Sequence, residues 1–430
     1  HENRHAATPA SDPEERPAGS LPADGSMKIA VLFHRLGPYH FARLRAAGNL
    51  LQVVAIETSG ADATYAWDVV GGADGFERVT LFADADAHKL PAQQVAHQLQ
   101  KALDAIRPDV LVVPGWSDTA ALAALRWCAL QRVPAVLMSE STAWDEARRP
   151  WKEWVKRRIV ALGSAALVGG RAHKDYLVRL GMPPEVVFEG YDAVDNSYFA
   201  EQAKEEKIKQ AAASPPPALP EHFFLASARF IEKKNLLRLI EAYALYRKQA
   251  LKPELHRQKS EIWDLVLLGD GALRGDLDRQ ITALGVEQSV RMPGFKQYPE
   301  LPAYYARAGV FIHASTTEPW GLVVNEAMAS GLPVLVSDRC GCAGDLVQEG
   351  VNGFTFDPGD VEQLVRRMLE ISGAGFPVAN FGAASRRIIA GWGPERFAQG
   401  LSQAAAKARA LGPKPASPLQ RVIFRILLRG

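Results

Sequence analysis

A chain of 430 residues is long enough for two domains of roughly 150–200 residues each. With 47% hydrophobic and 23% charged residues it reads as globular, and a formal charge of +2 excludes a chain-wide affinity for nucleic acid. Three cysteines, Cys128, Cys340 and Cys342, exclude a disulfide framework and suit a reducing compartment. Cys340-Gly341-Cys342 lacks a second Cys/His pair, so it reads as small residues in a tight loop rather than half a metal site.

Residues 1–26, rich in Pro, Ala, Asp, Glu and Ser, have no apolar core of a secretory signal and read as a disordered extension. Met27 opens the first strand, Lys28–Phe33. Further short apolar runs predict strands at Leu51–Ile56, Val110–Val113, Ala135–Met138 and Ala165–Val168. Amphipathic stretches between them predict helices at Phe41–Ala47, Ala92–Ile106, Thr119–Leu130, Trp151–Leu162 and Ala172–Leu180. This alternation implies a doubly wound α/β domain over residues 27–199. No apolar run approaches the ~20 residues that span a bilayer.

At 200–221 the charged Glu205-Glu206-Lys207 and the run Ser214-Pro215-Pro216-Pro217 read as a linker. The pattern restarts with strand Phe223–Ser227, helix Leu236–Tyr246, strand Leu265–Leu268 and helix Leu273–Leu284. Strand Val290–Met292, helix Leu301–Arg307 and strand Val310–His313 follow, giving a second α/β domain over 222–395. Residues 396–430 read as a closing helix, Arg396–Leu411, packed back on the first domain, and a basic amphipathic tail. The expected architecture is α/β, two doubly wound Rossmann-like domains facing across a cleft.

The most informative stretch is Glu318-Pro-Trp-Gly-Leu-Val-Val-Asn-Glu326, between one apolar strand and the start of a helix that ends at Gly331. Ligands of parallel sheets bind beyond the strands' carboxyl ends, which places Glu318 in the crevice. A helix N-terminus offers phosphate free N–H groups and the positive end of a dipole, while carboxylates accept hydrogen bonds from sugar hydroxyls. Arg229 lies beyond strand Phe223–Ser227, followed by Lys233, Lys234 and Asn235, the last placed to cap the next helix. A guanidinium and an ammonium there suit a diphosphate. Gly269-Asp270-Gly271 ends another strand and permits close backbone approach to a ligand. Pro293-Gly294-Phe295-Lys296 ends the next, with backbone groups suited to a nucleobase edge.

Together, Arg229 with Lys234 and Asn235, Gly269-Asp270-Gly271, Gly294-Phe295 and Glu318–Glu326 with the following Ala-Met-Ala-Ser-Gly-Leu-Pro-Val resemble the donor half of GT-B glycosyltransferases, specifically glycosyltransferase family 4. The likeness is close over residues 222–400 and looser before them. It implies a retaining enzyme that uses a nucleotide-sugar donor and no metal or other cofactor. The expected acceptor is a glycan or a lipid-linked molecule in bacterial glycan, glycolipid or polysaccharide synthesis. It also implies that Glu318 contacts donor sugar hydroxyls, that Glu326 binds the ribose, and that Arg229 and Lys234 hold the diphosphate. The N–H groups near Gly321, Leu322 and Val323 would add to that hold. Other readings of the same fold are a sugar-nucleotide epimerase, a phosphorylase or a non-catalytic nucleotide-sugar-binding protein.

The first half departs from the family pattern. Its opening strand runs into His34-Arg-Leu-Gly37-Pro-Tyr-His40, where many relatives carry paired glycines; Gly37 still allows approach to the diphosphate, and His40 suits acceptor, phosphate or a structural role. Glu140 stands where relatives place a histidine or aspartate near the reacting sugar, and is the candidate acceptor-orienting carboxylate. Trp116 and Asp118 are candidates to line the acceptor cleft, with core packing the alternative for Trp116.

Two segments suggest membrane contact. Residues 148–158 combine six cations, one acid and two tryptophans, and Arg421, Arg425 and Arg429 recur every four residues among apolar neighbours. The expected location is cytoplasmic, with peripheral association at the inner membrane face.

Overall fold

The computed structural model describes residues 27–60, 75–212, 219–252 and 262–428. The extension at 1–26, the proline run 215–217 and Arg429 lie outside the described residues. Seven strands form the first sheet: β1 Lys28–Phe33, β2 Gln52–Ser59, β3 Glu77–Phe82, β4 Val110–Pro114, β5 Ala135–Ser139, β6 Ala165–Val168 and β7 Val187–Glu189. Six form the second: β8 Phe223–Ser227, β9 Asp264–Leu268, β10 Val290–Gly294, β11 Val310–His313, β12 Val334–Ser337 and β13 Gly353–Phe356. The orders are β3-β2-β1-β4-β5-β6-β7 and β10-β9-β8-β11-β12-β13, with the strand pairs parallel. Helices cover both faces, so central strands such as β1, β4 and β8 are buried and read as continuous apolar runs. In each sheet the order reverses once, at β1/β4 and at β8/β11. Those switch points open a crevice at the strands' carboxyl ends.

The expected break at residue 200 is not where the chain leaves the first domain. Asn196–Ala212 is a helix. Its Phe199 and Ala203 are buried, and the Phe199 ring meets those of Tyr298 and Tyr305 at 5.2 and 5.9 Å, inside the second domain's core. Charged residues such as Glu205 and Glu206 occupy its solvent side. The chain crosses back near residue 390. Helix Pro394–Leu411 then buries Phe397, Leu401, Ala404, Ala405 and Ala408 in the first domain's core. Asn235 does not cap through its side chain. It sits in the left-handed region at φ 57°, and its amide instead donates to the carbonyls of Ala314 (3.1 Å) and Pro358 (2.9 Å).

Candidate active site

Loops after neighbouring strands converge because the backbone stitches them together. The turn after β8 is tied to the loop after β11 by Thr316 N–H donating to the Lys233 carbonyl at 2.9 Å and by the Asn235 clamp. That stitching puts Lys234 against Glu318, whose Oε2 accepts from the Lys234 ammonium and, at 3.2 Å, from the Ser315 hydroxyl. His313, the last residue of β11, brings Nε2 to 3.5 Å from the same oxygen. Burial alone would push the Glu318 carboxyl up, but the His313 hydrogen bond and the Lys234 charge outweigh it and hold the carboxyl well below its ordinary range. Burial drives His313 down, so near neutral pH its uncharged ring faces a fully ionised carboxylate.

The segment carrying Glu318 is anchored from behind. Glu318 N–H donates to Arg339 O, and Gly341 N–H and Cys342 N–H donate to Glu318 O and Trp320 O. A side chain at 341 would meet the Pro319 carbonyl at 1.8 Å, so the Cys340-Gly341-Cys342 loop has to be small there. Gly321, at φ 104°, starts the helix Leu322–Ala329; a Cβ there would stand 3.3 Å from His313 Nε2. The first N–H groups of this helix therefore open beside Glu318.

These groups line a cleft of about 870 Å³ between the two domains. From the second domain Arg229, Lys234, Gly269, Asp270, Phe295, Lys296, Glu318, Gly321, Leu322 and Val323 reach it. From the first come Gly37, His40 and Glu140. Gly294, at φ 87°, ends β10 just outside this lining. The Gly269-Asp270-Gly271 glycines answer to the protein's own backbone. A Cβ at Gly269 would meet Ala228 O at 1.9 Å and one at Gly271 would meet Phe230 O at 2.7 Å, while Phe230 N–H donates to Asp270 O.

Glu326 is enclosed rather than open to the cleft. Its oxygens accept from the hydroxyl of Tyr39, a first-domain residue, and from that of Tyr305 at 2.6 Å. Burial raises its carboxyl to about 7, with both tyrosine hydrogen bonds pulling the other way. His40 Nδ1 accepts from Gly37 N–H at 3.0 Å, which satisfies the start of the helix Pro38–Gly48; the ring, lowered to about 3 by burial, is neutral with its proton on Nε2. Gly37 has an ordinary extended backbone, φ −117°.

Trp116 belongs to the first domain's core, not to the cleft wall; its large apolar ring gains more from burial there. Asp118 is also withdrawn from the cleft. It caps the helix Thr119–Gln131 by accepting from Ala120 and Ala121 N–H at 2.7 and 3.0 Å, beside a separate cavity of about 70 Å³. His34 and His88 line that cavity, and with Asp86 they offer ligand atoms within 4.8 Å of one another. The two rings, however, stack at 3.8 Å and 9°, so their in-plane lone pairs do not converge on one ion.

The sequence reading missed Asp192 and Arg43. Asp192 follows β7, lines the cleft and is buried, with the Glu140 carboxyl as its hydrogen-bonding neighbour. Burial and the neighbouring Glu140 push its carboxyl well up, against the opposing charge of Arg43, whose Nη2 lies 3.9 Å away. Burial thus favours the protonated form of Asp192 beside Glu140, on the wall opposite Glu318. A charged residue three positions past the end of a strand was the available signal, but β7, Val187–Glu189, is only three residues long and itself ends in an acid.

Known proteins share this fold. Residues 207–382 match the family model described as glycosyl transferases group 1. Sulfoquinovosyl transferase SQD2 of Arabidopsis thaliana is 41% identical over 107 residues, 24% of this chain and 20% of that protein. The lipopolysaccharide core glycosyltransferase LpsE of Rhizobium meliloti is 34% identical over 147 residues, 34% of this chain and 38% of its own length. Alpha-monoglucosyldiacylglycerol synthase of Acholeplasma laidlawii is 29% identical over 177 residues, covering 41% and 40%. The chain thus spans less than half the length of these curated relatives. Among solved structures, Anabaena HepE in complex with UDP superposes with a TM-score of 0.65 at 18% identity, covering 88% of this chain and all of that one. The lipopolysaccharide outer core galactosyltransferase WaaB superposes at 0.62 and 15%, covering 88% and 99%. The fold is GT-B, and within it residues 207–382 are similar to glycosyl transferases group 1.

Proposed function

We propose that the protein is a glycosyltransferase that moves a sugar from a nucleoside-diphosphate sugar to an acceptor hydroxyl, with retained anomeric configuration and without a metal ion. The observation that carries this reading is the joint placement of Lys234, Glu318, His313 and the helix start at Gly321 in one interdomain cleft with Arg229. In the reaction the bond from the anomeric carbon to the β-phosphate oxygen breaks and its electron pair leaves with the diphosphate. Arg229, Lys234 and the N–H groups at Gly321, Leu322 and Val323 are fixed partners for that charge, the work a metal does elsewhere. Glu318, kept ionised, accepts hydrogen bonds from donor sugar hydroxyls. The acceptor oxygen bonds the anomeric carbon from the face the diphosphate leaves, and its proton passes to the departing phosphate oxygen. Glu140, with the buried Asp192 beside it, orients the acceptor hydroxyl. The names of the relatives, which include glycolipid and lipopolysaccharide enzymes, and the UDP-bound HepE favour a UDP-sugar donor and a glycan or lipid-linked acceptor. The cytoplasm or the inner face of its membrane is the matching location.

The test is nucleotide release from UDP-glucose and other nucleotide sugars, with and without a chelator, and the product anomer read by NMR. Turnover that survives chelation and gives the donor's anomer is the expected result. Saturable UDP binding with no turnover of any donor would replace catalysis by simple binding, and an inverted product would remove the front-face mechanism.

A further inference from the structure

The two cationic segments that are far apart in sequence lie side by side in the fold. Helix Pro418–Leu427 opens with a reciprocal cap, Ser417 Oγ accepting from Gln420 N–H and Gln420 Oε1 from Ser417 N–H. Its Gln420, Ile423 and Phe424 are buried against the helices Thr119–Gln131 and Pro150–Val160. The Gln420 amide donates to the Arg158 carbonyl at 2.6 Å, which pins one helix to the other. This packing uses one face. Leu419, Val422 and Ile426, spaced i, i+3, i+7, form a second face that stays 43%, 48% and 66% exposed. Arg421 and Arg425 run along its flank.

The neighbouring helix repeats the pattern. Trp151, Trp154 and Arg158 share the same i, i+3, i+7 spacing; the tryptophans are 62% and 44% exposed, and the Arg158 guanidinium lies 5.2 Å from the Trp154 ring. Arg157 is exposed on the same helix, and Arg149 is exposed just before its first residue. Its one acid, Glu153, is engaged by the Tyr176 hydroxyl at 3.0 Å and by Lys156 at 3.2 Å. The helix Pro418–Leu427 carries no acid at all. Exposed aliphatic and tryptophan side chains fringed by arginines that have no ion pair among the described residues form a surface that water solvates poorly and a negative partner covers well.

We propose that the face built by helices Pro150–Val160 and Pro418–Leu427 docks the protein on an anionic lipid surface. The apolar stripe and the tryptophans enter the headgroup boundary, and the arginines meet lipid phosphates. Charge selects this occupant. In a symmetric dimer the same patch meets its own copy, so arginines would face arginines. The proposal stands independently of the chemistry in the cleft.

Flotation of the full chain with vesicles of phosphatidylcholine alone, and with phosphatidylglycerol added, tests it. Binding is expected with the anionic vesicles, falling as salt is raised. Arg421→Glu with Arg425→Glu, and separately Ile426→Ser with Trp151→Ser, should each weaken it roughly tenfold or more. These side chains are exposed and none of them lines the cleft, so melting temperature and nucleotide binding should be unchanged in both variants. The proposal is overturned if the wild type stays unbound, or if both variants bind as it does. It is also overturned if the same substitutions abolish a dimer detected by sedimentation in the absence of lipid.

Discussion

Glu318 is held ionised against its burial by a half-buried lysine and a neutral histidine, a costly arrangement for a side chain with only a structural task. Glu318→Gln keeps the shape but removes the charge that Lys234 answers. Turnover should fall roughly 10²-fold or more while nucleotide affinity changes little, because the lost interaction is with the transferring sugar. Steady-state kinetics beside equilibrium UDP titration separates the two, and near-normal turnover would remove Glu318 from the site. Glu326 behaves in the opposite sense. Its folded carboxyl titrates at about 7, above the 4.5 of an unburied glutamate. Between those values the folded state keeps a proton that the unfolded chain has released, so stability falls as pH rises through the window and levels off above it. The loss is at most about 3 kcal/mol. In Glu326→Gln the melting temperature should gain on that of the wild type as pH rises through the window, because the buried neutral histidines His40, His173 and His313 act alike in both. If the carboxylate also serves the ribose, UDP affinity should drop in the same variant.

At the scale of elements, the glycines after β9 hold two loops together. Alanine at 269 would have to adopt φ near 132° with its Cβ 1.9 Å from the Ala228 carbonyl. Gly269→Ala should therefore cost roughly 3 kcal/mol or more and displace Arg229, seen as a lower melting temperature with weaker UDP binding. A variant that melts and binds like the wild type would separate the two loops. The same elements show how far pattern alone reaches. Strands β8, β9, β11 and β12 are legible because parallel strands buried on both faces are plain apolar runs, and Arg229, Lys234 and Glu318 follow from standing at their ends. Strand β3 escapes because, at the sheet's edge, Glu77 and Thr80 face solvent. Helix Asn196–Ala212 escapes because the nearby proline run dominates the composition, although Phe199 and Ala203, four apart, mark its buried side. Trp116 shows the limit for single residues, since a tryptophan after a strand is equally suited to a cleft or a core.

For the whole molecule, the working unit exists only when both sheets present their carboxyl ends to one cleft, and specific contacts hold them there. His173 of the first domain, neutral through burial, meets the Pro319 carbonyl at 2.9 Å, next to Glu318. Arg171 pairs with Asp345 at 2.8 Å, and the Trp320 ring lies on Gly169 and Gly170. Gly170 has an extended backbone, so alanine is conformationally acceptable there. Its Cβ would nevertheless stand 2.2 Å from Asp345 Oδ2 and 2.9 Å from the Trp320 ring. The Asp345 carboxylate can turn aside, but relief at the buried Trp320 ring pushes the second domain outward, carrying the Glu318 segment away from Glu140 and Asp192. A displacement near 1 Å at a reacting centre costs about 10²-fold in rate, whereas each domain keeps its own core. Gly170→Ala should thus lose most of its turnover with nearly unchanged UDP affinity and only a small drop in melting temperature. Scattering should show a slightly larger radius of gyration, and wild-type turnover in this variant would mean that catalysis uses a different placement of the two domains.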